Sequence, residues 1–181
     1  MTEDALDTLG LRRPGMAPAG IFFLLVALPV SIGWLAGSPP HAVFGFLLSI
    51  LLLQGLAPTV GMGLGLEVIP LLLILTSVAT GVILAMFVVC DLFSEKSEHV
   101  SRWIGSIQRT MEKYRFLMTY GEYMLIPIMW VPGIGLYGTP VIAWFLQWRA
   151  IRAILLMLTG WLIACLAVIG VVAEILSLLH L

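Results

Sequence analysis

Gly55-Leu56-Ala57-Pro58-Thr59-Val60-Gly61-Met62-Gly63-Leu64-Gly65 interrupts an apolar run in the first half of the chain, and Val131-Pro132-Gly133-Ile134-Gly135-Leu136-Tyr137-Gly138-Thr139-Pro140 interrupts another in the second. Each stretch sets a proline among closely spaced glycines, and each is followed by one long apolar segment. Proline removes a backbone donor and glycine loosens the helix, so a segment in hydrocarbon pays for both where no water can satisfy the freed groups. Such breaks survive where the broken backbone is enclosed by protein. Paired interruptions in corresponding halves are the best sequence pointer to a binding site in transporters built from inverted repeats.

The rest of the composition agrees with a membrane setting. Of 181 residues, 61% are hydrophobic and 10% charged, with a mean hydropathy of +1.10; charged residues make up about 25% of an ordinary soluble domain. A net charge of −1 and the lack of any basic tract argue against nucleic acid as a partner. Cys90 and Cys165 stand far apart inside apolar runs and read as small buried hydrophobes, since their spacing suits neither a disulfide nor a metal pair. No asparagine occurs, so there is no N-glycosylation acceptor.

Along the chain, 1–17 reads as a cytosolic N-terminal tail, because Glu3, Asp4 and Asp7 precede Arg12 and Arg13, unlike a signal peptide. Residues 18–181 read as a single membrane domain. A first span covers 18–36, with Pro29 as a candidate kink. Gly37-Ser38-Pro39-Pro40 is a turn. The first repeat covers 42–91: a broken run over 42–65, then a span over 67–90 opened by Glu67, with Pro70 in its first turn, where proline is tolerated. Val100, Trp103, Ile104, Ile107, Met111, Tyr114 and Met118 share one helical face, with Arg102, Arg109, Glu112, Lys113 and Arg115 opposite. The spacing predicts an amphipathic interfacial helix over 94–118. The second repeat covers 121–179: a broken run over 121–147, then a last span over 152–179.

Charge supplies orientation. Lys and Arg favour the cytosolic side, and they cluster at Arg12 and Arg13, between Lys96 and Arg115, and at Arg149 and Arg152. Placing all three clusters inside sends the first span out and the 67–90 span in. The 42–65 segment must then leave from outside and return there. The 121–147 segment must leave from inside and return there, and the last span runs out. Both broken segments become re-entrant helical hairpins of opposite entry, which is an inverted repeat. A rival topology, in which each broken segment crosses once, places Arg12 and Arg13 on the opposite side from the 91–118 loop, against the charge rule. The expected fold is therefore an all-α integral membrane protein with three full spans, two opposed re-entrant hairpins and one interfacial helix. The N-terminus is expected in the cytosol and the C-terminus outside the cytoplasmic membrane.

The site residues follow from the breaks. Pro58, Gly61, Gly63, Pro132, Gly133 and Gly135 would shape a midplane site, and Gln54 and Tyr137 would offer polar contacts. The glycines have a plainer reading as helix-packing positions. A nucleotide loop is excluded for Gly61-x-Gly63-x-Gly65, since no Walker lysine follows. Helix N-termini after the breaks carry partial positive charge and suit an anionic headgroup. Among the few acids, Glu67 and Glu122 are the candidates for proton coupling, beside a plainer interfacial role. His41 and His180 have no partner ligands near them in sequence, so no metal is expected, and no cofactor or catalytic constellation is apparent.

Gln54 through Leu64, together with Pro132-Gly133-Ile134-Gly135-Leu136-Tyr137-Gly138 through Ala143, resembles the small multidrug export family, a relative of the DedA and SNARE-associated membrane proteins. The likeness covers roughly residues 45–175. That family carries a Glu-x-Arg-Gly-x-x-Pro element in the first half and a Pro-x-Pro-Gly-x-Gly-x-x-x-Gly element in the second. The glycine spacing of the second is met at Gly133 and Gly135. Leu52 and Gln54 stand in place of the family's Glu and Arg, and Trp130 in place of its first proline. The resemblance implies proton-coupled movement of lipid carriers such as undecaprenyl phosphate.

The expectation is a membrane transporter or lipid-carrier flippase for a small amphipathic or anionic substrate, in contact with membrane lipids, with proton coupling as an option and no enzymatic activity. Three spans make a small bundle to enclose a pathway, which leaves room for a homodimer. The alternative is a non-transporting structural or assembly subunit of a larger membrane complex, for which the missing Glu and Arg and the scarcity of central charges speak.

Overall fold

The computed structural model describes residues 16–96, 121–131, 135–146 and 148–179. Among them every regular element is helical. Four helical stretches are long and apolar enough to cross a membrane: Pro18–Leu35, Pro40–Gly63, Val68–Phe93 and Ala150–Ile175.

The first rod is built from α1 (Met16–Phe22), a π-helical turn (Phe23–Ala27) and α2 (Leu28–Leu35). Pro29, read as a kink from sequence, sits in the first turn of α2 directly after the π turn. Its ring cannot donate to the carbonyl four residues back, and a wider turn is one of the few ways a helix absorbs such a break. Ser77, in the long helix that follows (α5, Val68–Lys96), fills part of that gap, its hydroxyl donating to the Leu24 carbonyl at 2.6 Å. The rod ends at Gly37, whose positive φ of 79° needs no Cβ to be tolerated. There the Ser38 N–H bonds the Gly33 carbonyl and the Gly37 N–H bonds the Trp34 carbonyl, the pair of bonds that defines a Schellman stop.

The second stretch is not one rod. It comprises α3 (Pro40–Leu53), a 3-10 turn (Gln54–Leu56) and α4 (Ala57–Gly63). A Cβ on Gly61 would lie 3.0 Å from the Phe46 ring. In a continuous helix those two residues would be about 22 Å apart at 1.5 Å per residue. The chain therefore doubles back between α3 and α4. It turns at Gln54, whose φ of 48° and ψ of −110° break the helix, and not at the glycines. Gly65 ends α4 with φ 77°, and a second Schellman pair joins Leu66 to Gly61 and Gly65 to Met62.

α5 (Val68–Lys96) is the long central helix. Its buried row, Leu71, Ile74, Leu75, Val78, Ala79, Val82, Ile83 and Phe87, is packed by the first rod, by both arms of the doubled-back segment, by α7 (Gly135–Phe145) and by α8 (Ala150–Leu179). Most of the interfacial-helix expectation, beyond Lys96, falls on 97–120 and lies outside the described residues.

The second half opens with a 3-10 turn (Gly121–Met124) and α6 (Leu125–Ile128), followed by α7 (Gly135–Phe145) and α8 (Ala150–Leu179). Ala153, Met157, Trp161, Cys165 and Ile169 form the inward stripe of α8 at four-residue spacing. Backbones approach closely where side chains are absent. A Cβ on Gly160 would lie 2.7 Å from the Ile126 carbonyl oxygen, and one on Gly81 would lie 2.8 Å from Leu25. Small residues at such crossings, with Leu73, Leu155, Leu166, Val171 and Leu178 turned outward, are the arrangement expected of helices whose outer solvent is as apolar as their core.

Candidate functional site at the junction of the two broken segments

The two broken segments meet. Tyr137, in the first turn of α7, donates its hydroxyl to the Leu51 carbonyl at 2.7 Å. Leu51 belongs to the last turn of α3, where the final carbonyls of a helix lack intrahelical donors. The residue that ends α3 is therefore also the one that creates an acceptor for the other half. Gln54 is 4% exposed and engages a neighbouring group. It is also the one non-glycine residue with positive φ among those described. Strain of this kind persists where surrounding structure over-determines it.

The expected site residues divide by position. Pro58 is buried in the first turn of α4, where its missing N–H is one of the orphans anyway. Gly61 is buried between α3 and α5, and a Cβ there would run into Leu71. Gly63 is exposed, with nothing within 4 Å of its would-be Cβ. Gly135 lies where a Cβ would collide with the Met129 carbonyl group, and its N–H bonds the Val131 carbonyl at 2.8 Å. This tight return fixes the second turn beside α6. Pro132 and Gly133 lie outside the described residues. Tyr137 and Gln54 thus come to the junction, Gly61 and Gly135 each permit a close approach within their own segments, and Gly63 and Glu67 lie at the exposed exit of the first segment.

Glu122 stands apart from the junction. It is 7% exposed and pairs with Arg152 at 3.3 Å, close enough for charge attraction but not angled for a hydrogen bond at Oε2. The Arg152 side chain is 56% exposed, so solvent screens the pair. A Cβ on Gly121 would lie 3.0 Å from the ring of the neighbouring Trp148.

Sequence reasoning missed several polar features. Trp144 Nε1 donates to Asp91 Oδ1 at 2.6 Å, tying α7 to the end of α5. Thr139 is fully buried with an unpartnered hydroxyl, whereas Thr76, Thr80 and Thr159 each donate to the carbonyl four residues back. Trp161 Nε1 is likewise buried without a partner. The only sequence signal for these was a polar atom inside an apolar run, which does not distinguish a self-satisfied hydroxyl from an orphaned one.

Comparison with protein-family models, with curated proteins and with solved structures finds no match.

Proposed function

We propose that this chain is a transporter or flippase that moves a small amphipathic or anionic, lipid-like substrate across the cytoplasmic membrane. In this reading the two broken segments are re-entrant hairpins entering from opposite faces, as the charge distribution and the likeness to the small multidrug export family suggest. The N-terminus is cytosolic and the C-terminus outside. The observation that carries the reading is the contact between the two breaks, from Tyr137 to the freed carbonyl of Leu51. Irregular backbone at membrane depth is tolerated where it lines a path, and α7 begins at that junction with its positive dipole end, which favours an anion. Glu67 and Glu122 remain the proton-coupling candidates. A second copy of the chain would complete an enclosure too large for one.

The test is lipid movement in vesicles containing only this protein. A short-chain fluorescent anionic phospholipid is placed in the inner leaflet, and its arrival outside is read by quenching with an impermeant reductant. Movement faster than in protein-free vesicles is expected, and its loss in Gly135→Leu, where the new side chain would displace the Met129 backbone. Equal rates with and without the protein would overturn the reading.

The alternative role, a non-transporting assembly subunit, draws support from the filled packing at Gly61 against Phe46 and Leu71. A partner that co-purifies stoichiometrically in mild detergent, with no lipid movement by the isolated chain, would favour it.

A further inference from the structure

Helix α7 is held to the first half of the molecule at two points and weakened between them. Tyr137 and Trp144 are seven residues apart, so they lie on one helical face. Tyr137 bonds the broken end of α3 at 2.7 Å and Trp144 bonds Asp91 at the end of α5 at 2.6 Å. Pro140 lies between them, inside the helix. It has no N–H for the Leu136 carbonyl and its ring crowds the preceding turn, so one rung of α7 is missing. Beside it, the Thr139 hydroxyl is fully buried and makes no hydrogen bond. The other described helix-interior threonines bond their own helix. The middle of α7 is thus short of polar partners, while both of its ends are fastened.

We propose that α7 is a two-point latch between the halves, hinged at Pro140, with the Tyr137 hydroxyl as the catch that releases first. The bond at Tyr137 reaches a backbone carbonyl that exists as a free acceptor only because α3 ends at Gln54. The bond at Trp144 reaches a carboxylate and is the stronger kind. Release at Tyr137 leaves α7 pivoting on the Trp144 end, with Pro140 absorbing the bend, and opens the junction of the two breaks. This inference concerns the motion of the helix and does not depend on what the protein carries.

Thiol labelling of the intact chain in detergent tests it. Thr139→Cys places a thiol at a fully buried site and removes a hydroxyl that bonds nothing; native Cys165, fully buried on α8, stays as an internal control, and Cys90 is replaced by alanine. Opening of α7 exposes position 139, whereas general unfolding exposes both. Tyr137→Phe is expected to raise the labelling rate at 139 about fivefold, the factor that one lost hydrogen bond gives, with Cys165 unchanged. Pro140→Ala restores the missing rung and is expected to lower the rate at 139. Opposite signs cannot both come from misfolding, and Pro140→Ala alone decides the matter if Tyr137→Phe does not fold. An unchanged rate at 139 in either variant, or a joint rise at 139 and Cys165, overturns the latch. The expected labelling pattern without any lipid movement in vesicles would instead sink only the transport reading.

Discussion

At the scale of single residues, the three glycines of Gly61-x-Gly63-x-Gly65 have three different duties. Gly61 permits contact with Phe46 and Leu71, Gly65 supplies the left-handed stop of α4, and Gly63 faces open space. Their substitutions should therefore separate. Gly61→Ala inserts a methyl into a filled interface and is expected to cost about 1–3 kcal/mol. Gly63→Ala, at a helical position with room, is expected to be neutral or to stabilise by about 0.5 kcal/mol through a less flexible unfolded chain. Thermal melting in detergent measures both, and an equal loss from the two would refute this division. The same logic applies to Glu122 and Arg152. Arg152→Ala leaves a buried carboxylate without its counter-charge. Its loss of stability should shrink in a Glu122→Gln background, whereas equal losses in the two backgrounds would mean that the pair contributes through packing alone.

At the scale of elements, the first rod owes its place to two small features of α5. Ser77 donates to the Leu24 carbonyl in the π turn, and Gly81 lets Leu25 approach to a distance that a side chain would block. Gly81→Leu should displace the rod and speed protease cleavage between Leu35 and Val43, with α5 to α8 still folded. Ser77→Ala should cost about 1 kcal/mol, the usual net value of one hydrogen bond, without release of the rod. Unaltered cleavage in Gly81→Leu would show that the rod is held from elsewhere. The π turn itself has a sequence cause in Pro29, but its width was legible only once a partner for the freed carbonyls could be seen.

At the scale of the whole molecule, the question is whether the Pro40–Gly63 stretch crosses the membrane or returns to the side it left. Length and composition allow a crossing, yet the contact between Phe46 and Gly61 shows two arms lying side by side. If the segment is re-entrant, Ser38→Cys and Gly63→Cys are labelled by an impermeant thiol reagent from the same face of a sealed vesicle. Labelling from opposite faces would make it a span and would overturn the inverted-repeat reading. The halves are also interlocked: α7 packs on α5, and α4 with its preceding 3-10 turn packs on α8. Each broken segment thus leans on the long helix of the other half. That exchange is what a motion of one repeat against the other would have to alter.

The amino-acid sequence alone determined the long helices, apolar enough to cross a membrane, and the places near which helices must fail. Those depend on local quantities: hydropathy over about 20 residues, the missing N–H of proline and the freedom of glycine. It placed the breaks near Pro58 and Pro132, and it singled out Gln54 and Tyr137 as polar groups. Tertiary structure decided that the first reversal falls at Gln54, that Gly65 is a helix stop, and that Tyr137 reaches Leu51. It also decided that Trp144 holds Asp91 and that Thr139 has no partner. The bonds of Tyr137 and Trp144, and the lack of one at Thr139, do not follow from local preference, because each depends on which acceptor another part of the chain leaves exposed. In a chain this uniformly apolar, hydrophobic periodicity cannot tell the core face from the lipid face. What distinguishes them is the close fit of small residues and the few polar atoms that must find one another.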